Sequence, residues 1–315
     1  MIQPPKLERG KKIGILATAR RVTPDNLECA LKVIREWGFE VVLSSFLYST
    51  DHSYLAGTDE QRTTALQQFL NDPEISAIFC ARGGYGTTRI LDNVSFDEFS
   101  KHPKWIVGFS DVTALHLRLH YLGFESIHAT MPILFSKPDA ASSLDTLRDA
   151  LVGEPADLHG TPASHDRHGS AEGILVGGNL SLVADSLGTP YEPETSGKIL
   201  VLEEVDEYLY KIDRMIVQLK RAKKLSNLAG LVVGHFSEIK DTELAFGEST
   251  EQIIRFHTRE YSYPVGFGFP TGHQNPNHAW ISGRNARLEV SPNASMLKHL
   301  PSAQDLEMSA RGYRK

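Results

Sequence analysis

Apolar and polar positions alternate in blocks along the first half of the chain. "KKIGILATA" contains a short apolar run and predicts a strand. "TPDNLECALKVIREWG" follows, with Leu27, Ala30, Leu31 and Ile34 at i, i+3, i+4 and i+7, the stripe of an amphipathic helix. Thr23 is placed to cap this helix, Pro24 suits its first position and Gly38 its exit. "FEVVLSS" predicts the next strand, "DEQRTTALQQFLND" a helix, "ISAIFCA" and "KWIVGF" strands, and "DVTALHLRLHYLG" a helix. Short strands alternating with helices imply a parallel sheet covered on both faces, with ligands bound at the carboxyl ends of its strands.

The pattern lapses over "EPADLHGTPASHDRHGSAEG", rich in Pro, Gly, Ser and His and without periodicity, which reads as a linker or long surface loop. Beyond it, "GILVGG", "GKILVLEE" and "GLVVGHF" predict strands, and "YKIDRMIVQLKRAKKL" and "STEQIIRFHTREY" predict helices. The first of these helices places Ile212, Met215, Ile216 and Leu219 on one face. "AWISGRNARLEVSPNA" predicts a hairpin turning at "SGRN". The expected organisation is an α/β domain over residues 1–155, a linker over 156–172 and a second domain over 173–315, since 315 residues are enough for two cores.

Composition narrows the partners. Hydrophobic residues make up 41% and charged residues 23%, ordinary for a soluble globular protein, and the net charge of -6 lacks the concentrated positive charge that nucleic acid or an anionic membrane requires. No window approaches a membrane span, and "MIQPPKLERGKKIGIL" holds no apolar core of signal-peptide length, so the expected compartment is the cytoplasm. Cys29 and Cys80 each sit inside an apolar pattern and are expected as buried free thiols.

Three stretches carry candidate chemistry. In "VGFSDVTALH" a strand stops, Ser110 follows and a helix begins, so Ser110 or Asp111 is either a helix cap or, for Ser110, a nucleophile at a strand-to-helix turn. The hydrolase signature G-x-S-x-G fails here because Val112 stands at the second glycine. In "CARGGYGTTRIL", Gly83, Gly84 and Gly86 let backbone N–H groups approach a ligand, as an oxyanion hole needs, or else form only a tight turn. Arg82 beside them is either a carboxylate partner or a surface charge. In "FPTGHQNPNHAW", His273 lies among turn-forming residues and is a candidate base, with His278 as a competitor. "ILVLEEVDE" offers Glu203 and Glu204 as the orienting acid, and spacing does not choose between them. "HLRLH" places His116 and His120 at i, i+4, a metal-ligand spacing, but Leu117 stands where a zinc protease needs Glu and no further ligand cluster completes a site.

Taken together, "AGTDEQR", "ARGGYGTTRILD", "VGFSDVTALH", "GGNLSLVADSLGTPY", "ILVLEEVDEYLYKIDRM" and "PTGHQNPN" resemble, in order and over nearly the whole chain, the LD-carboxypeptidase family of serine peptidases, which includes murein tetrapeptide carboxypeptidases and microcin-immunity peptidases. The resemblance implies a flavodoxin-like parallel-sheet N-terminal domain and a smaller β-rich α/β C-terminal domain, with the site between them. It implies a triad without metal or other cofactor, in which Ser110 is the nucleophile, His273 the base and Glu203 the acid. The backbone N–H groups of Asp111 and Gly84 are the expected oxyanion donors, and Arg82 is a possible cation for a terminal carboxylate.

The activity the resemblance implies is cleavage of the amide between an L-centre, diaminopimelate or lysine, and C-terminal D-alanine in murein tetrapeptide, with a homodimer as the assembly. The "YKIDRM" run is more like the murein enzymes than the microcin ones. Two alternatives remain beside this reading: hydrolysis of aminoacyl-nucleotide analogues, as in the microcin-immunity branch, and a non-catalytic ligand-binding module.

Overall fold

The computed structural model describes residues 1–302 and Asp305. Its first sheet contains β1 (Lys12–Leu16), β2 (Glu40–Leu43), β3 (Ile75–Cys80), β4 (Trp105–Gly108) and β5 (Ser126–His128), all parallel, in the order β2-β1-β3-β4-β5. This is the flavodoxin-like order, and its switch point lies between β1 and β3, where the loops leaving both strands diverge.

Helices cover both faces, and alternate residues of the strands explain why. Ile13, Ile15, Phe79, Trp105 and Val107 pack with Leu27, Ala30 and Ile34 of the helix Pro24–Glu36 and with Leu147 and Leu151 of the helix Ala141–Leu151. Leu16, Ile78, Cys80 and Ile106 point the other way, onto Leu66 and Phe69 of the helix Asp59–Asn71 and Leu115 and Leu119 of the helix Thr113–Leu122. Each fully buried Leu or Ile contributes about 1.5–3 kcal/mol. Caps set the helix starts: Thr58 Oγ1 accepts the Gln61 N–H at 3.3 Å while Gln61 Oε1 accepts the Thr58 N–H at 2.9 Å. Asn26 Oδ1 accepts the Thr23 N–H at 3.0 Å, and Gly38 takes a φ of 90° at the exit.

The second sheet comprises β6 (Leu158–Gly160), β7 (Gly169–Asn179), β8 (Ile199–Val205), β9 (Gly230–Ser237) and β10 (Val265–Gly266), joined by β12 (Asn285–Val290) and β13 (Ser295–His299), in the order β10-β9-β8-β7-β12-β13-β6. β7 to β10 run parallel, and β7, β12, β13 and β6 pair antiparallel. The Pro/Gly/Ser/His-rich stretch thus carries β6 and the first residues of β7. The helix Leu209–Arg221 buries Ile212, Ile216 and Leu219 against Leu200, Leu202, Leu231 and Val233, as its stripe predicts.

The expected hairpin at "SGRN" does not form. β11 (Trp280–Ser282) pairs antiparallel with β5 at the edge of the first sheet, whereas β12, three residues on, pairs with β7 in the second. Gly283, at a φ of 91°, makes the switch between sheets, and the hairpin is instead β12–β13. Period-2 alternation marks strands but not which sheet each joins. A buried bidentate pair, Arg284 Nε and Nη2 on Glu125 Oε1 and Oε2 at 2.8 and 2.7 Å, clasps the two sheets at this crossing. Both cysteines are free; Cys80 is buried as expected, but Cys29 is only partly so. Among the described residues no helix is long and apolar enough to cross a membrane.

Candidate active site

β4 stops at Gly108, and the chain turns through Phe109 into a 3-10 turn, Ser110–Val112, that leads into the helix Thr113–Leu122. Ser110 holds a φ of 63°, a left-handed conformation that costs a non-glycine residue about 1–3 kcal/mol. A Cβ on Gly108 would lie 2.9 Å from a Val112 methyl, so glycine is needed at this crossing, and Val112 fills the space on its far side. The sharp strand-to-helix turn is therefore reached with one glycine rather than the two of the hydrolase signature. The N-cap positions of the turn and of the helix are Phe109 and Val112, not Ser110, and neither makes a side-chain cap hydrogen bond. Ser110 Oγ lies 2.9 Å from His273 Nε2. Asp111 is buried and accepts the Thr87 N–H at 2.9 Å, which fixes the β3 loop to this turn.

His273 stands on the loop between β10 and β11, which is closed on itself. Asn277 Oδ1 accepts the Gly272 N–H at 2.9 Å, the His278 N–H reaches Pro270 O at 2.7 Å, and the His235 N–H on β9 reaches Thr271 O at 2.8 Å. The Asn277 N–H donates to Ser143 Oγ at 2.8 Å, which ties the loop to the helix Ala141–Leu151 under the first sheet. Nothing in the periodicity of "GHQNPN" signals Asn277 or its partner Ser143, 134 positions away. His278 contributes its backbone to this closure; His273 is the histidine within reach of Ser110.

The two acids part at a β-bulge. The register of β8 against β9 shifts between Leu202 and Glu204, which breaks the strict alternation of side chains. Glu203, fully buried, places Oε2 2.7 Å from His273 Nδ1. Gly272 makes room: at a φ of 124°, a Cβ there would lie 2.9 Å from Glu203 Oε2. Glu204 turns instead to the start of the helix Leu180–Asp185, accepting the Ser181 N–H at 2.8 Å, Ser181 Oγ at 2.6 Å and Asn179 Nδ2 at 2.8 Å.

The electrostatics follow from these contacts. Burial pulls the His273 pKa down, but the charge of Glu203 and its hydrogen bond outweigh burial and leave it raised above 6.5. Burial raises the Glu204 pKa, against the pull of its Ser181, Val205 and Asn179 donors. The Phe109 ring packs 4.8 Å from the His273 ring and covers one side of the imidazole.

Ser110 and His273 open onto a cleft of about 900 Å³ lined also by Arg20, Arg82, Gly83, Gly84, Lys137 and Asp206. Gly83 is the glycine packed against the serine, since a Cβ there would lie 3.2 Å from Ser110 Oγ. Gly84, at a φ of 114°, is next in line, beneath Arg20. Arg82 reaches Arg21 O at 3.5 Å.

The "HLRLH" histidines do not converge. His116 meets Ser126 Oγ at 2.8 Å and Gly108 O at 2.9 Å, while His120 Nε2 faces Lys198 Nζ at 2.7 Å. Burial pulls their pKa values down to about 4 and about 3 respectively. Among the described residues no three His, Cys, Asp or Glu side chains group to hold a metal.

Comparison with known proteins places nearly the whole chain beside one family. Residues 13–129 match the model of the LD-carboxypeptidase N-terminal domain and residues 172–288 that of its C-terminal domain. A Bacillus subtilis (strain 168) protein named "Probable murein peptide carboxypeptidase" is 34% identical over 301 residues, spanning 94% of each chain. The murein tetrapeptide carboxypeptidase of Pseudomonas aeruginosa is 30% identical over 290 residues, 88% of this chain and 93% of its own. The crystal structure of muramoyltetrapeptide carboxypeptidase from Oxalobacter formigenes superposes with a TM-score of 0.85 at 28% identity, covering 92% of this chain and 99% of that one.

Proposed function

This chain belongs to the LD-carboxypeptidase family, and from that premise we propose that Ser110, His273 and Glu203 are the catalytic groups of a serine-type carboxypeptidase acting on murein tetrapeptide. The observation that carries the proposal is the unbroken line Ser110 Oγ–His273 Nε2 at 2.9 Å and His273 Nδ1–Glu203 Oε2 at 2.7 Å. Both distances are within reach for proton transfer without rearrangement.

Ser110 Oγ attacks the carbonyl of the amide joining the L-centre of diaminopimelate or lysine to terminal D-alanine. His273 Nε2 takes the hydroxyl proton, while Glu203 accepts from Nδ1–H and stabilises the imidazolium. The oxyanion receives the N–H groups of Asp111 and Gly84, each contributing about 3–4 kcal/mol when well aimed, and the helix Thr113–Leu122 adds positive potential. The C–N bond then breaks, and His273 returns its proton to the amine of the leaving D-alanine. Water, deprotonated by the same imidazole, attacks the acyl-serine and releases the shortened peptide. Glu204 is excluded from the acid's role in this scheme by its four donors around Asn179, Ser181 and Val205. The proposal extends to a homodimer acting in cell-wall recycling, as the resemblance implies, with the cytoplasm as the compartment expected from the hydropathy of the chain.

The test is to supply L-Ala-D-Glu-meso-diaminopimelate-D-Ala and measure free D-alanine for the native chain and Ser110→Ala. Release by the native chain alone is expected. Full release by Ser110→Ala removes the nucleophile assignment. Hydrolysis of an aminoacyl-sulfamoyl nucleoside in preference to the peptide moves the protein to the microcin-like activity. Binding of peptide without release, and without labelling by a serine-directed probe, leaves a binding module.

A further inference from the structure

We infer that Arg20, with Arg82, forms a two-guanidinium clamp for the substrate's terminal carboxylate and so restricts cleavage to the chain end; this rests on the carboxypeptidase reading above. Arg20 leaves the carboxyl end of β1 and Arg82 that of β3, the two neighbouring strands that flank the switch point of the first sheet. Both line the cleft that contains Ser110 and His273.

Two adjacent glycines of the β3 loop connect Arg20 to Ser110. A Cβ on Gly83 would lie 3.1 Å from Ser110 Cβ, and one on Gly84 would lie 2.6 Å from Arg20 Cγ. The β3 loop therefore touches the nucleophile with one residue and Arg20 with the next, a step of about 3.8 Å along the backbone. The leaving group is likewise one residue long, with its carboxylate one residue beyond the scissile carbonyl. The Arg20 stem thus packs on the residue next to the one packed on Ser110, and on this proposal its guanidinium takes the carboxylate of that one leaving residue.

The loop is built to hold the guanidinium there. Arg20 lies over the Tyr54 ring at 4.9 Å, and the Arg21 N–H to Tyr54 O (3.1 Å) and Ala56 N–H to Ala19 O (2.9 Å) bonds pin the backbone on both sides. Three cations, Arg20, Arg82 and Lys137, share the cleft, and among the described residues none of them has an acid within ion-pair distance. Asp206, the acid in the cleft lining, is paired with Lys240. Like charges gathered without a counter-ion repel, and a carboxylate relieves that repulsion while accepting charge-assisted hydrogen bonds. An internal peptide bond brings no carboxylate to this point, so the clamp rewards chain ends alone.

The experiment compares L-Ala-D-Glu-meso-diaminopimelate-D-Ala with the same peptide ending in D-alaninamide. For the native chain, kcat/KM is expected to favour the free carboxylate strongly. In Arg20→Gln the preference should fall about 30-fold, carried by a higher KM for the carboxylate peptide. Arg82→Gln should move the preference in the same direction from the other loop. Arg20→Lys should recover part of it, since lysine keeps the charge but loses the bidentate fork. A preference within twofold of native in both glutamine variants overturns the clamp. If the native chain cleaves neither peptide, the proposed function fails. Tetrapeptide binding to native chain and Arg20→Gln then reads the clamp by itself: about 30-fold weaker binding in the variant supports it, and equal binding overturns it.

Discussion

The exits of β4 and β8 both lie at carboxyl ends of parallel strands, and both depart from regular geometry, yet they supply opposite electrostatics. At the β4 exit the departure is a left-handed residue, Ser110 at a φ of 63°, followed directly by helix, so a hydroxyl meets the positive end of a helix. At the β8 exit it is a bulge, which leaves two adjacent carboxylates buried but facing different partners. In the proposed scheme one exit favours developing negative charge and the other faces the imidazole with a carboxyl group. His273, from a third segment, bridges them.

The largest test breaks the β4 side. Ser110→Ala or His273→Ala should each lower kcat about 10⁴-fold or more, and the double variant should lose little beyond either single one, because groups acting as a unit are not additive. Single losses that multiply in the double variant would show that the two act separately.

The next separates the two acids. Glu203→Gln should lower kcat about 10²–10⁴-fold with little change in KM, because the imidazole loses its orienting charge. Glu204→Gln should act on stability instead. It places an amide against the Ser181 and Asn179 donors at a cost of about 1–3 kcal/mol, read as a fall in Tm of about 2–10 °C. If the activity losses came in the reverse order, the acids would exchange roles.

A pH profile sharpens the same contrast. His273 has its pKa raised by Glu203 over the opposing effect of burial, and a base must be neutral to act. Activity should therefore rise with pH through an apparent pKa above 6.5, and Glu203→Gln should move that inflection down. For stability the sign is opposite: a raised folded-state pKa stabilises fully below about pH 6.5, and that contribution is lost as pH rises through the folded value. An inflection unmoved by Glu203→Gln would detach the acid from the base.

The smallest effect tests the space around the acid. Gly272→Ala introduces a methyl 2.9 Å from Glu203 Oε2 at a left-handed position and should lower kcat about 10-fold, with destabilisation of about 1–3 kcal/mol. Native kcat in this variant would mean that Glu203 tolerates displacement.

The periodicities of 2 and 3.6 made the strands and helices of the first domain legible, because each element buries one face or both faces of a regular repeat. Ser110 was less so: its local pattern equally described a cap, and Val112 broke the familiar signature, because the crossing needs a glycine only at Gly108. Glu203 and Glu204 were indistinguishable by spacing, since a bulge is a property of paired strands. The "SGRN" turn was misread for the same reason: the flanking strands alternate correctly but belong to different sheets.

The sequence by itself determined the parallel α/β architecture, the glycine loop after β3 and, through six motifs in order, the family. These are recorded in local repeats and local order along one chain. Only the tertiary structure decided which acid meets His273, that Asn277 and Ser143 fix its loop, and that Arg20 packs on Gly84, next to the glycine against Ser110. Each of those depends on residues brought together from as many as 134 positions apart. Such distances are set by sheet order, register and a bulge, none of which leaves a periodic trace in the residues concerned.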